Sequence, residues 1–337
     1  MRLLGGAPCP ADRPRMVLAA MCLLPLLATS ETPHAQTVSI TSVTPNAPNI
    51  GRVVSAARRA TVFRIAPTGL VSLASGSGVR MTGGNASIAA VTLRCSGGSN
   101  ATCPNTNVTI QAAGTPTGRA LPLTTFTVAG GVNPPLMTAA KGKNSISFTV
   151  TGALRNSTYD FYVGMDFGIE GDDSPKPTGA ATSSYSVSVP GSAYTGTASA
   201  DVFRPISVTQ SSPLDFGIIV RPRSGSSIVS MSPVTGALSV TGSAAIFPVR
   251  PATRASFVVT GEGGQTFSIS VPPFTLTSKG QSLTVTPSSD PSGSAGLAGF
   301  TGSGTSQAVY VGGSFILTDA TSPGTYTGSV TIAVQYN

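Results

Sequence analysis

Tryptophan is absent from the 337-residue chain, histidine occurs once, and charged residues make up only 9% of it. Each shortage removes a class of function. The one histidine, His34, sits in the amino-terminal segment, so the chain beyond it has no imidazole to act as general base. Ser–His–Asp and Cys–His nucleophilic mechanisms are thereby excluded there. Acids are few, 12 in all, and most stand in loop-like contexts where isolated carboxylates cap turns or face water. Asp160 and Asp166 flank Phe161-Tyr162 and offer an acid pair near that strand, though isolated acids more often solvate loops or cap turns. Glu170, Asp172 and Asp173 offer hard oxygen ligands but lack the spacing and closing glutamate of an EF-hand, and read as a solvated acidic turn. Gly261-Glu262-Gly263-Gly264 is followed by neither a lysine nor a helix, so it reads as a hairpin turn and not a phosphate loop. The expectation is a protein that is not an enzyme and carries no cofactor or metal.

Long apolar runs are also missing, with one exception. Met16 to Ala28 is apolar and follows Arg2, Arg13 and Arg15, but it is too short to span a bilayer. It reads as the core of a signal peptide covering residues 1–35, with cleavage after Ala35 preferred to cleavage after Ser30. The mature chain then has no transmembrane segment and is expected in the periplasm, at the cell surface or outside the cell. Of the four cysteines, Cys9 and Cys22 leave with that segment. Cys95 and Cys103 remain, flanking a Ser/Gly/Asn loop, and in an exported protein they are expected to form a disulfide. A metal site is disfavoured because no histidine lies near them. The formal charge of +8 falls to about +7 after processing. Its arginines are scattered, without the interleaved aromatics that bind single-stranded nucleic acid, so no nucleic-acid partner is expected.

What the chain does have is glycine (39), proline (27) and short alternating runs. Val330, Ile332, Val334 and Tyr336 alternate with Ser329, Thr331, Ala333 and Gln335 after the turn signal Pro323-Gly324, which predicts a half-buried strand. Ordered phrases recur. Val38-Ser39-Ile40-Thr41 matches Ile206-Ser207-Val208-Thr209, and Asn49-Ile50-Gly51 matches Asp215-Phe216-Gly217. Tyr162-Val163-Gly164 matches Tyr310-Val311-Gly312, and Tyr194-Thr195-Gly196 matches Tyr326-Thr327-Gly328. The order predicts an internal duplication, with a longer first copy whose excess lies around Cys95–Cys103 and residues 168–190. No segment carries a helical stripe with caps. The expected fold is all-β: two tandem immunoglobulin-like antiparallel sandwiches, residues 36–203 and 204–337.

From Ile206 to Asn337 the sequence resembles domain-of-unknown-function family 4402. Asp215-Phe216-Gly217, Ala255-Ser256-Phe257-Val258-Val259-Thr260-Gly261-Glu262, Tyr310-Val311-Gly312-Gly313 and Gly324-Thr325-Tyr326-Thr327-Gly328 carry the likeness. The first half is similar to a diverged copy. That family implies an exported bacterial protein and brings no activity with it. The alternating carboxyl-terminal strand with Tyr336 next to last is also similar, more loosely, to chaperone–usher pilins and spore-coat-U-like proteins. That likeness implies that Val330, Ile332, Val334 and Tyr336 form an assembly edge, paired by another fibre subunit or by a periplasmic chaperone. The alternative from the residues alone is that this strand simply completes its own core. Two functions follow as expectations: a non-enzymatic surface or pilus-like structural or adhesive protein, or a secreted carbohydrate- or ligand-binding module. The second would use Tyr159, Phe161, Tyr162, Tyr185 or Tyr194 as stacking surfaces.

Overall fold

The computed structural model describes residues 35–44, 48–81, 87–137 and 140–337. The expected signal peptide, His34 included, lies outside the described residues. Every regular element among the described residues is a strand, so the fold is all-β. Among the described residues fourteen strands precede residue 204: β1 (Thr37–Thr44), β2 (Asn49–Val54), β3 (Thr61–Ile65), β4 (Val71–Ser75), β5 (Val79–Arg80), β6 (Ala89–Ser96) and β7 (Thr106–Thr117), followed by β8 (Thr124–Gly130), β9 (Leu136–Met137), β10 (Lys141–Gly142), β11 (Ser145–Thr151), β12 (Thr158–Ile169), β13 (Gly179–Val189) and β14 (Ser192–Phe203). The remaining strands are β15 (Ser207–Ser212), β16 (Ile218–Val220), β17 (Ser226–Met231), β18 (Leu238–Thr241), β19 (Ala245–Phe247) and β20 (Ala255–Glu262), then β21 (Thr266–Ser270), β22 (Phe274–Ser278), β23 (Gln281–Asp290), β24 (Ser294–Gly296), β25 (Gly304–Thr318) and β26 (Ala333–Tyr336).

Alternation decides which residues are buried. On β6, Ala89, Val91, Leu93 and Cys95 point inward, and on β20 Ala255, Phe257 and Val259 do the same, the two-residue period of a strand with one face on the core. In residues 37–203 two sheets enclose one apolar cluster. One sheet runs β1-β6-β12-β3-β4, with β8 and β10 attached; the other runs β5-β2-β14-β13-β7-β11-β9. Phe148 of the second sheet meets Phe161 of the first edge to face, with ring centres 5.4 Å apart, so the layers interdigitate as in a sandwich.

The order β15-β20-β25-β17-β18 in residues 207–336 repeats that of the first sheet strand for strand, with β23 attached as β8 is. Even the register recurs: Tyr162 sits opposite Ala90, one residue into β6, and Tyr310, at the same place in the matching phrase, sits opposite Ser256, one residue into β20. The facing layer is different. It is divided into β16-β19 and β24-β21-β26, and two separate apolar clusters lie beneath it. Among the described residues, all strand pairs fall within 37–203 or within 207–336. Gln36–Asn337 is nonetheless one compact unit.

Candidate functional site

The carboxyl-terminal strand is positioned from one side only. β26 pairs antiparallel with β21, Phe267 opposite Tyr336 and Ile269 opposite Val334. Val330, Ile332, Val334 and Tyr336 pack against the cluster of Phe257, Val259, Phe267, Ile269, Val309 and Val311. These four residues are therefore core-facing, and each keeps partial exposure. The opposite edge of β26 has no strand beside it among the described residues. β16 is in the same condition, paired with β19 and with no strand on its other side among the described residues. Apolar side chains crowd this two-stranded ribbon and remain in solvent: Ile218 is 42% exposed, Val220 51%, Phe247 49% and Val249 73%. Unpaired main-chain edges and exposed aliphatic residues are the features that sheet proteins normally cover.

Tyr336 links this strand to the junction of the two halves. Its hydroxyl donates to the Arg204 carbonyl at 3.0 Å and accepts from the Glu262 amide at 2.7 Å. The Glu262 carboxylate is fully buried and accepts from the Arg204 amide at 3.0 Å and from the Gly302 amide. The Arg204 guanidinium then reaches Asp172 at 3.0 Å. Asp172 also pairs at 2.9 Å with Arg119, whose side chain is wholly buried and donates to Ser55 Oγ and the Lys176 carbonyl. Burial pushes the Tyr336 hydroxyl above its ordinary range, with the Glu262 charge adding to the rise. Nothing in the sequence singled out Arg119; its neighbours Gly118 and Ala120 carry no ion-pair signal.

The sequence-derived acid candidates are all occupied by cations and amides. Asp160 accepts from the amides of Val132 and Asn133. Asp166 is buried and takes a two-pronged contact from Arg64 at 2.7 and 2.8 Å, a hydrogen bond that raises the guanidinium further. Glu170 holds Lys176 at 2.7 Å and Ser174. Burial acts to raise the Glu170 carboxyl, but the hydrogen bonds from Lys176 and Ser174 outweigh it and hold the group low. Asp173 accepts from the Arg59 amide. Among the described residues no cluster of His, Cys, Asp and Glu is arranged to hold a metal ion. Cys95 and Cys103 are joined by a disulfide with Cα atoms 5.9 Å apart, fixing the end of β6 to the loop ahead of β7.

Of the aromatic residues considered for sugar stacking, Phe161 and Tyr185 are fully buried, and Tyr159 and Tyr194 pack on the core edge with partial exposure. Tyr162 is half-buried on β12. The five thus form no shared exposed platform, because alternate residues of a strand face opposite ways. No helix among the described residues is long and apolar enough to cross a membrane.

The fold and this edge define an all-β, sandwich-like, disulfide-bearing protein. Its residues 206–336 match the model of a named family, Domain of unknown function (DUF4402), and that span contains every phrase quoted above for the second half. No curated protein matches the chain. Among solved structures, a chain from a study of a chaperone–tip adhesin complex in CFA/I fimbriae biogenesis is 12% identical. It aligns over 71% of this chain and 77% of its own length, with a TM-score of 0.24. A likeness at that score has no bearing on fold or function.

Proposed function

We propose that the protein is an exported bacterial surface or fibre component that works by protein–protein contact and not by catalysis. The observation that carries this reading is the pair of unpaired strand edges on β16 and β26, beside the exposed Ile218, Val220, Phe247 and Val249. An edge of this kind is a template for β-augmentation, in which main-chain hydrogen bonds supply affinity and alternate side chains supply specificity. The basic and apolar amino terminus and the disulfide support export. The partners are other surface or fibre subunits, or a periplasmic chaperone that covers the edge before assembly. The buried Phe161 and Tyr185 weigh against the sugar-binding alternative.

The test is to express the full chain in a bacterium, fractionate the cells, and measure the molar mass of the processed protein by size exclusion with light scattering. Export with removal of the amino-terminal segment, and self-association or co-purification of a partner that a chain ending at Gly328 does not capture, supports the reading. An unprocessed cytoplasmic protein, or a processed monomer that stays monomeric and partnerless at every concentration, overturns it.

A further inference from the structure

We propose that the end of the first half where β12 begins, opposite the junction, is a docking surface for a different protein, one that meets it with an apolar patch flanked by carboxylates. This rests on the protein-contact reading above and places a contact on loop side chains, away from the strand edges.

Three loops build this end: residues 97–105 after β6, 131–135 after β8 and 152–157 before β12. The Cys95–Cys103 disulfide braces the first. Main-chain bonds tie it to the third: the Cys103 amide donates to the Ala153 carbonyl at 2.8 Å, Arg155 to Ala101 at 2.9 Å and Asn156 to Cys95 at 2.9 Å. Asp160 fixes the second loop, its two carboxylate oxygens accepting from the amides of Val132 at 2.6 Å and Asn133 at 2.8 Å. On this braced frame large apolar side chains stand in solvent: Val132 is 90% exposed, Leu136 at the start of β9 70% and Leu154 55%. Leu136 reaches the third loop, its Cδ1 lying 3.3 Å from where a Cβ on Gly152 would sit. Apolar side chains held out on a rigid loop frame mark a contact surface, and the fixed backbone has little ordering left to lose on binding. The three loops contain no Lys, Asp or Glu. Arg155, and Arg94 beside the disulfide, are exposed, and neither has an ion-pair partner among the described residues. With Asp160 spent on amides, their charge calls for carboxylates on the partner.

The second half shows what kind of body covers this end of the fold. Its counterparts of the first and third loops follow β20 and precede β25, and both lie against the first half. The Glu262 carboxylate accepts the Arg204 amide. A Cβ on Gly179 would meet Thr301 Cγ2 at 3.6 Å, and one on Gly302 would meet the Thr178 carbonyl at 3.7 Å. In the second half this end is therefore closed by a neighbouring β-structure, whereas in the first half Val132, Leu136 and Leu154 remain open to solvent. Composition favours a protein over a bilayer as the occupant. Leu, Val, Tyr159 and Arg, without Lys or Glu, match the centre of a protein interface, and the Trp and Lys that anchor a structure to lipid are missing from these loops. A second copy does not fit. Two such ends face to face would oppose Arg94 and Arg155 to themselves. The far end of the second half, where the Asp319 amide meets the Gly225 carbonyl, displays exposed Arg221 and Arg223, and its Asp319 carboxylate is bonded to the Gly225 amide. Like charges brought together in this way disfavour association.

The probe is a phage-displayed library of random peptides, selected on the processed full-length protein and counter-selected on its V132S/L136S variant. We expect enriched peptides in which apolar residues stand beside Asp or Glu. Bound peptide should shift the amide resonances of Val132, Leu136, Leu154 and Arg155, a readout that needs no variant. Binding should weaken by about ten-fold or more in R94E/R155E, and exchanging the peptide's acids for Lys should restore it on that variant. The proposal is overturned if no peptide is enriched, if the enriched peptides lack acids, or if their binding is indifferent to the charge reversal. It is also overturned if the unchanged protein binds phosphatidylglycerol vesicles and both variants lose that binding, which would make the surface a lipid contact. Self-association that R94E/R155E abolishes overturns it too, in favour of a second copy. Peptides that shift β16 or β26 instead would leave the protein-contact reading standing and remove this surface alone. Failure of that reading shows separately, as an unprocessed cytoplasmic chain in the fractionation above.

Discussion

Two tyrosines show how single residues are placed by the sheet around them. The Tyr185 ring lies over Gly196 of the neighbouring strand, and a Cβ there would collide with it; the Tyr336 ring stands over Gly261 in the same way. Gly196→Ala is expected to cost about 1–3 kcal/mol through overpacking, read as a fall in the urea midpoint. The two hydroxyls differ. That of Tyr185 is buried without a hydrogen-bond partner, so Tyr185→Phe removes an unpaid desolvation cost and should leave the midpoint unchanged or raise it. A lower midpoint would show that the hydroxyl is satisfied in solution. Tyr336 is bonded, and its ionisation is raised mainly by burial. A raised folded-state pKa means the stabilisation is complete below the unfolded tyrosine value of about 10 and is lost as pH rises beyond it. Stability should therefore fall from about pH 10 upward, and the fall should be shallower in Tyr336→Phe, since Tyr185 alone would then contribute. Identical profiles would mean Tyr336 ionises freely.

At the scale of elements, the disulfide and β26 make contrasting cases. Cys95 and Cys103 close a loop only eight residues long, so reduction is expected to lower stability by about 2–3 kcal/mol, checked by unfolding with and without reductant. A fall confined to exchange at residues 95–103 would show that the loop's order depends on the bond while the rest of the sandwich does not. The alternation at Val330–Tyr336 made the core-facing residues of this segment legible from sequence, although the strand itself covers only Ala333–Tyr336, and the Gly/Pro-punctuated runs that became β6, β20 and β25 were legible likewise, because burial on one face imposes a period of two. The repeated phrases exposed the shared sheet β15-β20-β25-β17-β18 for the same reason: core-facing positions tolerate few residue types. What sequence could not show is the neighbour of an edge. Pairing is a relation between distant segments, and Tyr326-Thr327-Gly328 reads like Tyr194-Thr195-Gly196 although the latter lies within β14 and the former bridges Thr277 ahead of β26. The ion-pair chain was hidden likewise. Arg119 and Asp172 are 53 positions apart, and only the fold brings them to 2.9 Å.

For the whole molecule, the decisive feature is that one polar chain runs from the carboxyl-terminal strand through the junction into the core of the first half. Arg119 is wholly buried and depends on Asp172 for its charge. Removing that partner by Asp172→Ala leaves an uncompensated guanidinium and is expected to cost about 3 kcal/mol, at the low end for a buried pair because the carboxylate is partly exposed. A midpoint shift in urea near zero would show that Lys176 O and Ser55 suffice. The junction itself turns on Glu262, whose two carboxylate oxygens each accept a main-chain amide, from Arg204 and from Gly302. Glu262→Gln keeps the shape but turns one acceptor into a donor, so one buried amide faces an N–H group. An unsatisfied buried donor costs about 1–3 kcal/mol. Amide exchange at Arg204 or Gly302 should then accelerate by about ten-fold or more, since ten-fold corresponds to about 1.4 kcal/mol. Exchange in β6, which lies in the other half and shares none of these bonds, should stay the same. Acceleration at both places would mean that Glu262 supports global stability. Unchanged exchange at Arg204 and Gly302 would mean that the junction is held by the Tyr336 hydroxyl and the Arg204–Asp172 pair, and that the buried carboxylate is not what joins the two halves.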